Sequence, residues 1–115
     1  MITEGQIVLF KFPQTDQKEG KLRPALILRE LPGKFNDWLI CMISSNIDQL
    51  IPELDELIAP EASDFIQSGL KVPSIIRGSR LAVVDGKALL GTLGQINTER
   101  LHKIRQKLSK WILSA

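Results

Sequence analysis

The chain has 115 residues, a formal net charge of +2 and an apolar fraction of 43%. This length fits one domain, residues 1–115, with enough apolar side chains for a hydrophobic core. The composition argues against a disordered chain, against a disulfide-stabilised domain because there is one cysteine, and against a membrane protein because no apolar run is long enough to span a bilayer. We therefore expect a single cytoplasmic domain that does not associate with a membrane.

Three strands are predicted in the first part of the chain. Gly5 to Phe12, Leu22 to Arg29 and Trp38 to Ser44 are rich in Ile, Leu, Val and aromatic residues, and residues 13–20 between the first two read as a loop. The second and third runs are apolar at successive positions, which is typical of strands covered on both faces. We expect these two strands at the centre of a sheet.

The second half predicts shorter elements. Residues 53–59 lie between two prolines and fit either a short strand or a helical turn, whereas Ser63 to Ser68 fit one helical turn that Gly69 ends. Ser74 to Arg77 read as a strand that Gly78 interrupts with a bulge or bend.

The C-terminal part predicts a hairpin followed by a helix. Asp85-Gly86 lies between the apolar runs Arg80 to Val84 and Ala88 to Leu90, a strong hairpin signal. Asn97 is the predicted cap of a helix that runs to about Leu113. Its apolar stripe comprises Leu101, Ile104, Leu108, Trp111 and Ile112. Together these elements predict a mainly β (α+β) fold, a small barrel of short antiparallel strands with a C-terminal amphipathic helix.

One stretch, Lys21 to Leu28, combines cations with the start of a buried strand. Pro24 favours extended backbone at Arg23, so this guanidinium lies where a loop meets rigid structure and suits phosphate binding. If the second and third strands pair antiparallel, Arg23 lies near Ser44. An arginine beside a hydroxyl can stabilise charge on a phosphodiester. The alternative is a solvated arginine beside a polar strand end.

Metal and cofactor chemistry is not predicted. Cys41 and His102 are the only cysteine and histidine, too few for a zinc site. Cys41 lies between apolar residues and reads as a buried structural thiol, and His102 reads as a solvated helix residue. No phosphate-binding loop or dinucleotide motif is present, so we expect no cofactor.

Short motifs along nearly the whole chain are similar to those of one protein family. They are Gly5-Gln6-Ile7-Val8, Lys21-Leu22-Arg23-Pro24-Ala25, Ile43-Ser44-Ser45, Ser68-Gly69-Leu70 with Pro73-Ser74-Ile75-Ile76, and Gly91-Thr92-Leu93-Gly94. With these motifs the chain resembles the MazF/PemK bacterial toxins, which are mRNA endoribonucleases. The resemblance implies an SH3-like barrel and favours a strand at residues 55–59.

The resemblance also implies roles for particular residues. Arg23, Ser44 and Arg77 match catalytic positions of the family. The expected substrate-binding residues are Lys21, Ser45, Ser79, Arg80 and Asp16. The chain departs from some members of the family at Ser79, where they have an acid, and in the loop at residues 13–20, where they carry a histidine and this chain has none.

The expected function is metal-independent cleavage of single-stranded mRNA to 2′,3′-cyclic phosphate and 5′-hydroxyl ends. The resemblance further implies a homodimer and inhibition by an acidic antitoxin protein. One alternative is a catalytically weakened member that mainly binds RNA or an antitoxin. A second is an SH3-like module for proline-rich peptides, although the chain has no Tyr and two Trp for such a groove.

Overall fold

The computed structural model describes residues 1–11 and 21–114. Six strands, two α-helices and two 3-10 turns make up this part of the chain. In chain order the elements are β1 (Gln6–Lys11), β2 (Leu22–Glu30), β3 (Asp37–Ser44), a 3-10 turn (Ile47–Gln49), β4 (Asp55–Ile58), α1 (Phe65–Ser68), β5 (Ser74–Asp85), a second 3-10 turn (Gly86–Ala88), β6 (Thr92–Gln95) and α2 (Thr98–Leu113).

The strands form one curled antiparallel sheet in the order β4-β5-β3-β2-β1-β6. The predicted mainly β fold with a C-terminal helix is therefore confirmed, and so is the central position of β2 and β3. Residues 25–28 of β2 are all buried because both faces of the sheet are covered at its centre.

Two apolar clusters cover the two faces. The first packs between the sheet and the helices, and it contains Ile7, Leu26, Leu28, Cys41, Ile43, Ile58, Phe65, Leu70, Ile76, Ile96, Leu101 and Ile104. The second lies on the opposite face and contains Val8, Phe10, Ala25, Ile27, Trp38 and Ile40. Alternate residues of β2 enter alternate clusters, as the pleat of a strand requires.

The turn after α1 packs closely on the edge strand β6. Gly69 adopts a left-handed conformation with φ of 78° and caps α1, as predicted. A Cβ at Gly69 would lie 2.3 Å from the Leu93 carbonyl oxygen, and one at Gly94 would lie 2.1 Å from the Gln67 carbonyl oxygen. Glycine at both positions lets α1 approach β6.

The predicted hairpin at Asp85-Gly86 is wrong. The Asp85 carboxylate accepts a hydrogen bond from the Lys87 N–H, and the chain enters a 3-10 turn instead of a two-residue hairpin. Residues 88–90 are not a strand, and β6 pairs with β1 rather than with β5. The predicted interruption at Gly78 is confirmed as a bulge, because Met42 faces Arg77 whereas Cys41 faces Leu81.

The terminal helix begins as predicted and differs at its end. The Asn97 side chain accepts a hydrogen bond from the Arg100 N–H at 2.8 Å. Leu101 and Ile104 are buried, but Trp111 and Ile112 are 54% and 63% exposed. The predicted apolar stripe thus reaches the core only in its first half. No helix in the described part of the chain is long and apolar enough to cross a membrane.

Candidate active site

A groove of about 500 Å³ opens where β2 begins and β3 ends. It brings together Lys21, Arg23, Ser44 and Ser45, all of which the sequence predicts for the site. The other lining residues are Leu22, Pro24, Ile43, Asn46, Leu70, Lys71, Val72 and Ser74. The groove therefore combines cations, hydroxyls and exposed apolar side chains, which are groups that contact the phosphates and bases of a nucleic acid.

The strand register explains why Arg23 and Ser44 meet. Ala25 of β2 lies opposite Met42 of β3 in an antiparallel pair. The paired residues end there, and two positions further along each strand Arg23 and Ser44 both line the groove, close together as the sequence predicts from antiparallel pairing. Arg23 also lies opposite Phe10 of β1. Because Phe10 and Ala25 belong to the second apolar cluster, Arg23 and Ser44 lie at the end of that face of the sheet.

The charges that line this groove have one sign. Its cations are Lys21, Arg23 and Lys71, all exposed, and no acidic residue is among the lining residues that the structure describes. A cluster of exposed cations attracts an anion from solution. Lys71 is a site residue that sequence reasoning missed, because in the sequence it reads as an ordinary surface lysine after a helical turn.

The Ser44 hydroxyl has a defined hydrogen-bond partner. Its Oγ accepts a hydrogen bond from the Asn46 N–H at 3.1 Å, and the residue is half-buried. A hydroxyl oxygen that accepts from the backbone keeps its own hydrogen for another acceptor. Ser44 can therefore donate a hydrogen bond into the groove, for instance to a phosphate oxygen.

Arg77 lies on the same sheet face but is buried. It is opposite Met42, two residues from Ser44 along β3, and is 7% exposed. Its Nη1 donates to Gln49 Oε1 at 3.1 Å, and its Nη2 lies 3.5 Å from the Gln49 carbonyl oxygen. The structure does not place Arg77 among the lining residues of the groove.

A buried carboxylate that sequence reasoning missed lies beside Arg77. Asp55 is 1% exposed, and its Oδ2 lies 3.7 Å from Arg77 Nε. Its Oδ1 accepts hydrogen bonds from the Ser79 N–H at 3.2 Å and from Ser79 Oγ at 2.9 Å. Position 79 thus lacks the acid of the family pattern, but Ser79 binds an acid supplied by β4. No sequence signal identifies Asp55, since its partners lie 22 and 24 positions away.

Other predicted residues lie elsewhere. Arg80 is exposed on the β5 bulge and is not among the groove residues, and Asp16 lies outside the described residues. His102 is exposed on α2, as predicted. Cys41 is buried, and burial raises the pKa of its thiol well above the ordinary value, with the nearby Asp55 charge adding to the effect. Within residues 1–11 and 21–114, no three His, Cys, Asp or Glu side chains cluster in a way that could hold a metal ion.

Three basic residues of α2 pair with acidic residues of the segment 56–64, before α1. Glu56 is 7% exposed and lies within 4 Å of the three α2 cations Arg100, Lys103 and Lys107. Arg100 Nε also lies 2.9 Å from Asp64 Oδ2. These ion pairs neutralise part of the positive charge of α2, which presents fewer free cations than its sequence indicates.

The family model for the PemK-like, MazF-like toxin of type II toxin-antitoxin systems matches residues 3–112. This chain belongs to that toxin family. The match spans nearly the whole sequence, including every motif on which the resemblance rests. No curated protein sequence matches the chain.

Solved structures of toxins share this fold at low sequence identity. An endoribonuclease in complex with its cognate antitoxin from Mycobacterial species has a TM-score of 0.69 at 12% identity, with 100% of this chain and 99% of that chain covered. The Mycobacterium tuberculosis toxin MazF-mt6 has a TM-score of 0.69 at 17% identity, covering 96% and 99%. A MazE-MazF structure from Deinococcus radiodurans has a TM-score of 0.68 at 18% identity, covering 99% and 97%.

Proposed function

We propose that this toxin is a metal-independent endoribonuclease that cleaves single-stranded mRNA to 2′,3′-cyclic phosphate and 5′-hydroxyl ends. The observation that carries the proposal is the groove in which Arg23 and Ser44 meet, where the described lining residues include the cations Lys21 and Lys71 and no acid. Family membership supports it, and one structurally similar protein is itself an endoribonuclease. RNA is the substrate of choice because its own 2′-hydroxyl supplies the nucleophile.

In the proposed reaction, the RNA 2′-oxygen forms a bond to the adjacent phosphorus and the bond from phosphorus to O5′ breaks. The 2′-hydroxyl gives its proton to a base, and the departing O5′ takes up a proton. Arg23 binds the phosphate and stabilises the charge that builds up on its oxygens, while the Ser44 hydroxyl donates a hydrogen bond to one of them. Asp16 and Glu19 are the candidates for the base, and both lie outside the described residues.

The remaining groove residues bind the strand in this proposal. Lys21 and Lys71 contact neighbouring phosphates, and Ser45 contributes a further hydroxyl. The exposed side chains of Leu22 and Val72 offer apolar surface for bases. Arg80 contacts the RNA backbone from outside the groove.

The proposed partners are an acidic antitoxin and a second copy of this chain, in the cytoplasm where mRNA is found. The three exposed cations of the groove, Lys21, Arg23 and Lys71, support an acidic inhibitor, because opposite charges speed association and exclude partners of like charge. Two structurally similar proteins were solved with an antitoxin. An inhibitory segment that is disordered when free can order over a large surface on binding.

The test is incubation of the purified toxin with a long RNA in EDTA, followed by end-group analysis. We expect 2′,3′-cyclic phosphate and 5′-hydroxyl ends from RNA, and no cleavage of DNA with the same sequence. Activity that stops in EDTA and returns with Mg²⁺ would contradict the metal-independent mechanism. RNA binding without cleavage would favour the alternative of a weakened, RNA-binding family member.

A further inference from the structure

The segment 45–54 joins β3 to β4, begins in the groove and, apart from the buried Leu54 at its end, has little apolar packing of its own. Its 3-10 turn, Ile47–Gln49, contains no buried residue. The residue before this turn, Asn46, makes no side-chain capping hydrogen bond. A segment with few buried apolar contacts opens easily unless polar contacts hold it. The conformation of segment 45–54 therefore depends on its hydrogen bonds.

Two buried charged side chains supply several of these hydrogen bonds. Arg77 donates to the Gln49 side-chain oxygen at 3.1 Å and approaches the Gln49 carbonyl oxygen at 3.5 Å. Asp55 Oδ2 accepts from the Ile51 N–H at 2.8 Å. The segment is thus held from the inside of the sheet at positions 49 and 51.

Arg77 and Asp55 also hold each other. They lie opposite one another in the pairing of β5 with β4, and they are 7% and 1% exposed. Arg77 Nε is 3.7 Å from Asp55 Oδ2 and has no hydrogen-bond partner. A buried charge is costly without its partner, so neither side chain can leave alone. The pair is therefore a fixed point of attachment for segment 45–54.

A chain of hydrogen bonds leads from this pair to the groove. The Gln49 N–H donates to the Asn46 carbonyl oxygen at 3.2 Å, and the Asn46 N–H donates to Ser44 Oγ at 3.1 Å. Because Oγ accepts this bond, the direction in which Ser44 points its own hydrogen is restricted. We therefore expect a displacement of Gln49 to change the orientation of the Ser44 hydroxyl.

We infer that Arg77 and Asp55, acting through Gln49, are positioning residues that orient the Ser44 hydroxyl in the groove. The inference rests on the proposed endoribonuclease function and assigns these residues to the same site. It gives Arg77 a different role from the catalytic one implied by the family resemblance. Arg77 holds Gln49 and does not touch the RNA.

The test removes Gln49, which is exposed, so that its variants fold. We expect Gln49→Ala to lower kcat about tenfold, the effect of losing one hydrogen bond to a charged group, with KM unchanged. Gln49→Glu keeps the acceptor for Arg77 and restores kcat. In a double-mutant cycle, Gln49→Ala has no further effect in a Ser44→Ala background, because both changes disable the same hydroxyl. Gln106→Ala, an exposed glutamine of α2, is the matched control with wild-type kinetics.

Several results would overturn the inference. One is a Gln49→Ala enzyme as active as the Gln106→Ala control, and another is additive losses in the double mutant. A more active Gln49→Ala enzyme would show that Arg77, once released, binds the RNA directly.

Amide hydrogen exchange gives a readout that needs no RNA. The amides of Asn46 and Ile51 should exchange faster in Gln49→Ala than in wild type, and unchanged exchange overturns the inference. If the wild-type protein cleaves no RNA, the proposed function is wrong, and Gln49 then has no role in that reaction.

Discussion

At the scale of single residues, Arg23 carries the largest predicted effect on activity. It is exposed at the start of β2, so its side chain contributes to the groove and not to the core. We expect Arg23→Ala to lower kcat/KM by two to three decades, since loss of one transition-state charge contact costs about 2.7–4 kcal/mol. The measurement is cleavage of a defined RNA at pH 7.

The control for this prediction comes from the other end of the same strand. Arg29→Ala also removes an exposed arginine of β2, but from outside the groove, and should cleave RNA like the wild type. Both variants should keep the thermal unfolding midpoint of the wild type. Wild-type cleavage by a folded Arg23→Ala enzyme would remove Arg23 from the mechanism.

At the scale of elements, the contact between α2 and the segment 56–64 depends on Arg100. Its side chain is 15% exposed and lies close to the buried carboxylates of Glu56 and Asp64. We expect Arg100→Met to lower the free energy of unfolding by about 3 kcal/mol, because it leaves the buried Asp64 carboxylate without its cation, whereas Glu56 keeps Lys103 and Lys107. The measurement is urea denaturation at pH 7, with Lys110→Met on the exposed side of α2 as the control.

The same contact predicts a pH dependence. Burial acts to raise the pKa of Asp64, but hydrogen bonds from the Arg100 side chain and the Asn97 N–H outweigh burial and hold the pKa below its ordinary value. A carboxylate with a lowered pKa stabilises the fold above its unfolded pKa of about 4, and this stabilisation is lost as the pH falls through the folded value. The difference between wild type and Arg100→Met should therefore shrink below about pH 4. A difference that stays constant down to pH 2 would contradict this origin.

The contact between α1 and β6 depends on Gly69. Any other residue here would hold a strained left-handed backbone and place its Cβ 2.3 Å from the Leu93 carbonyl oxygen. Gly33 also has a positive φ, 115°, but has nothing within 4 Å of its Cβ position. We expect Gly33→Ala to lose about 1–2 kcal/mol of stability from backbone strain, and Gly69→Ala to lose clearly more. Equal losses in urea denaturation would show that α1 has room to move away from β6.

At the scale of the whole molecule, the groove is the proposed meeting point of RNA and antitoxin. α2 competes poorly as an inhibitor site, because Arg100, Lys103 and Lys107 already pair with acidic residues of this chain. We expect a short RNA with 2′-O-methyl groups, which cannot be cleaved, to displace the cognate antitoxin in a fluorescence titration. Antitoxin association should also slow as salt is added.

Charge variants locate this contact. Lys71 lies in the groove, so Lys71→Ala should lower the affinity of the toxin for the antitoxin. Lys110 lies on α2, and Lys110→Ala should leave this affinity unchanged. RNA and antitoxin that bind together without weakening each other would exclude a shared groove. An antitoxin that loses affinity only with Lys110→Ala would place the contact on the helix.

The sequence by itself determined the parts of this protein that depend on local patterns. The apolar run of β2, the Asn97 cap of α2 and the Gly69 stop of α1 all follow from the chemistry of a few neighbouring residues. The meeting of Arg23 with Ser44 also followed, because antiparallel pairing of two strong strands leaves one geometry. The order of the short motifs along the chain was enough to indicate the family.

Only the tertiary structure decided which distant residues share one environment. Asp85-Gly86 has the local chemistry of a hairpin, but Gly86 bonds to the Asn36 carbonyl and β6 pairs with β1 instead. Lys71 joined the groove, and Asp55 joined Arg77, through strand pairings that no local pattern contains. A buried charge is stable only where its partner is present, and that partner comes from another strand. For this reason the sequence predicts the groove cations Lys21 and Arg23, whereas it does not predict the buried pair of Arg77 and Asp55.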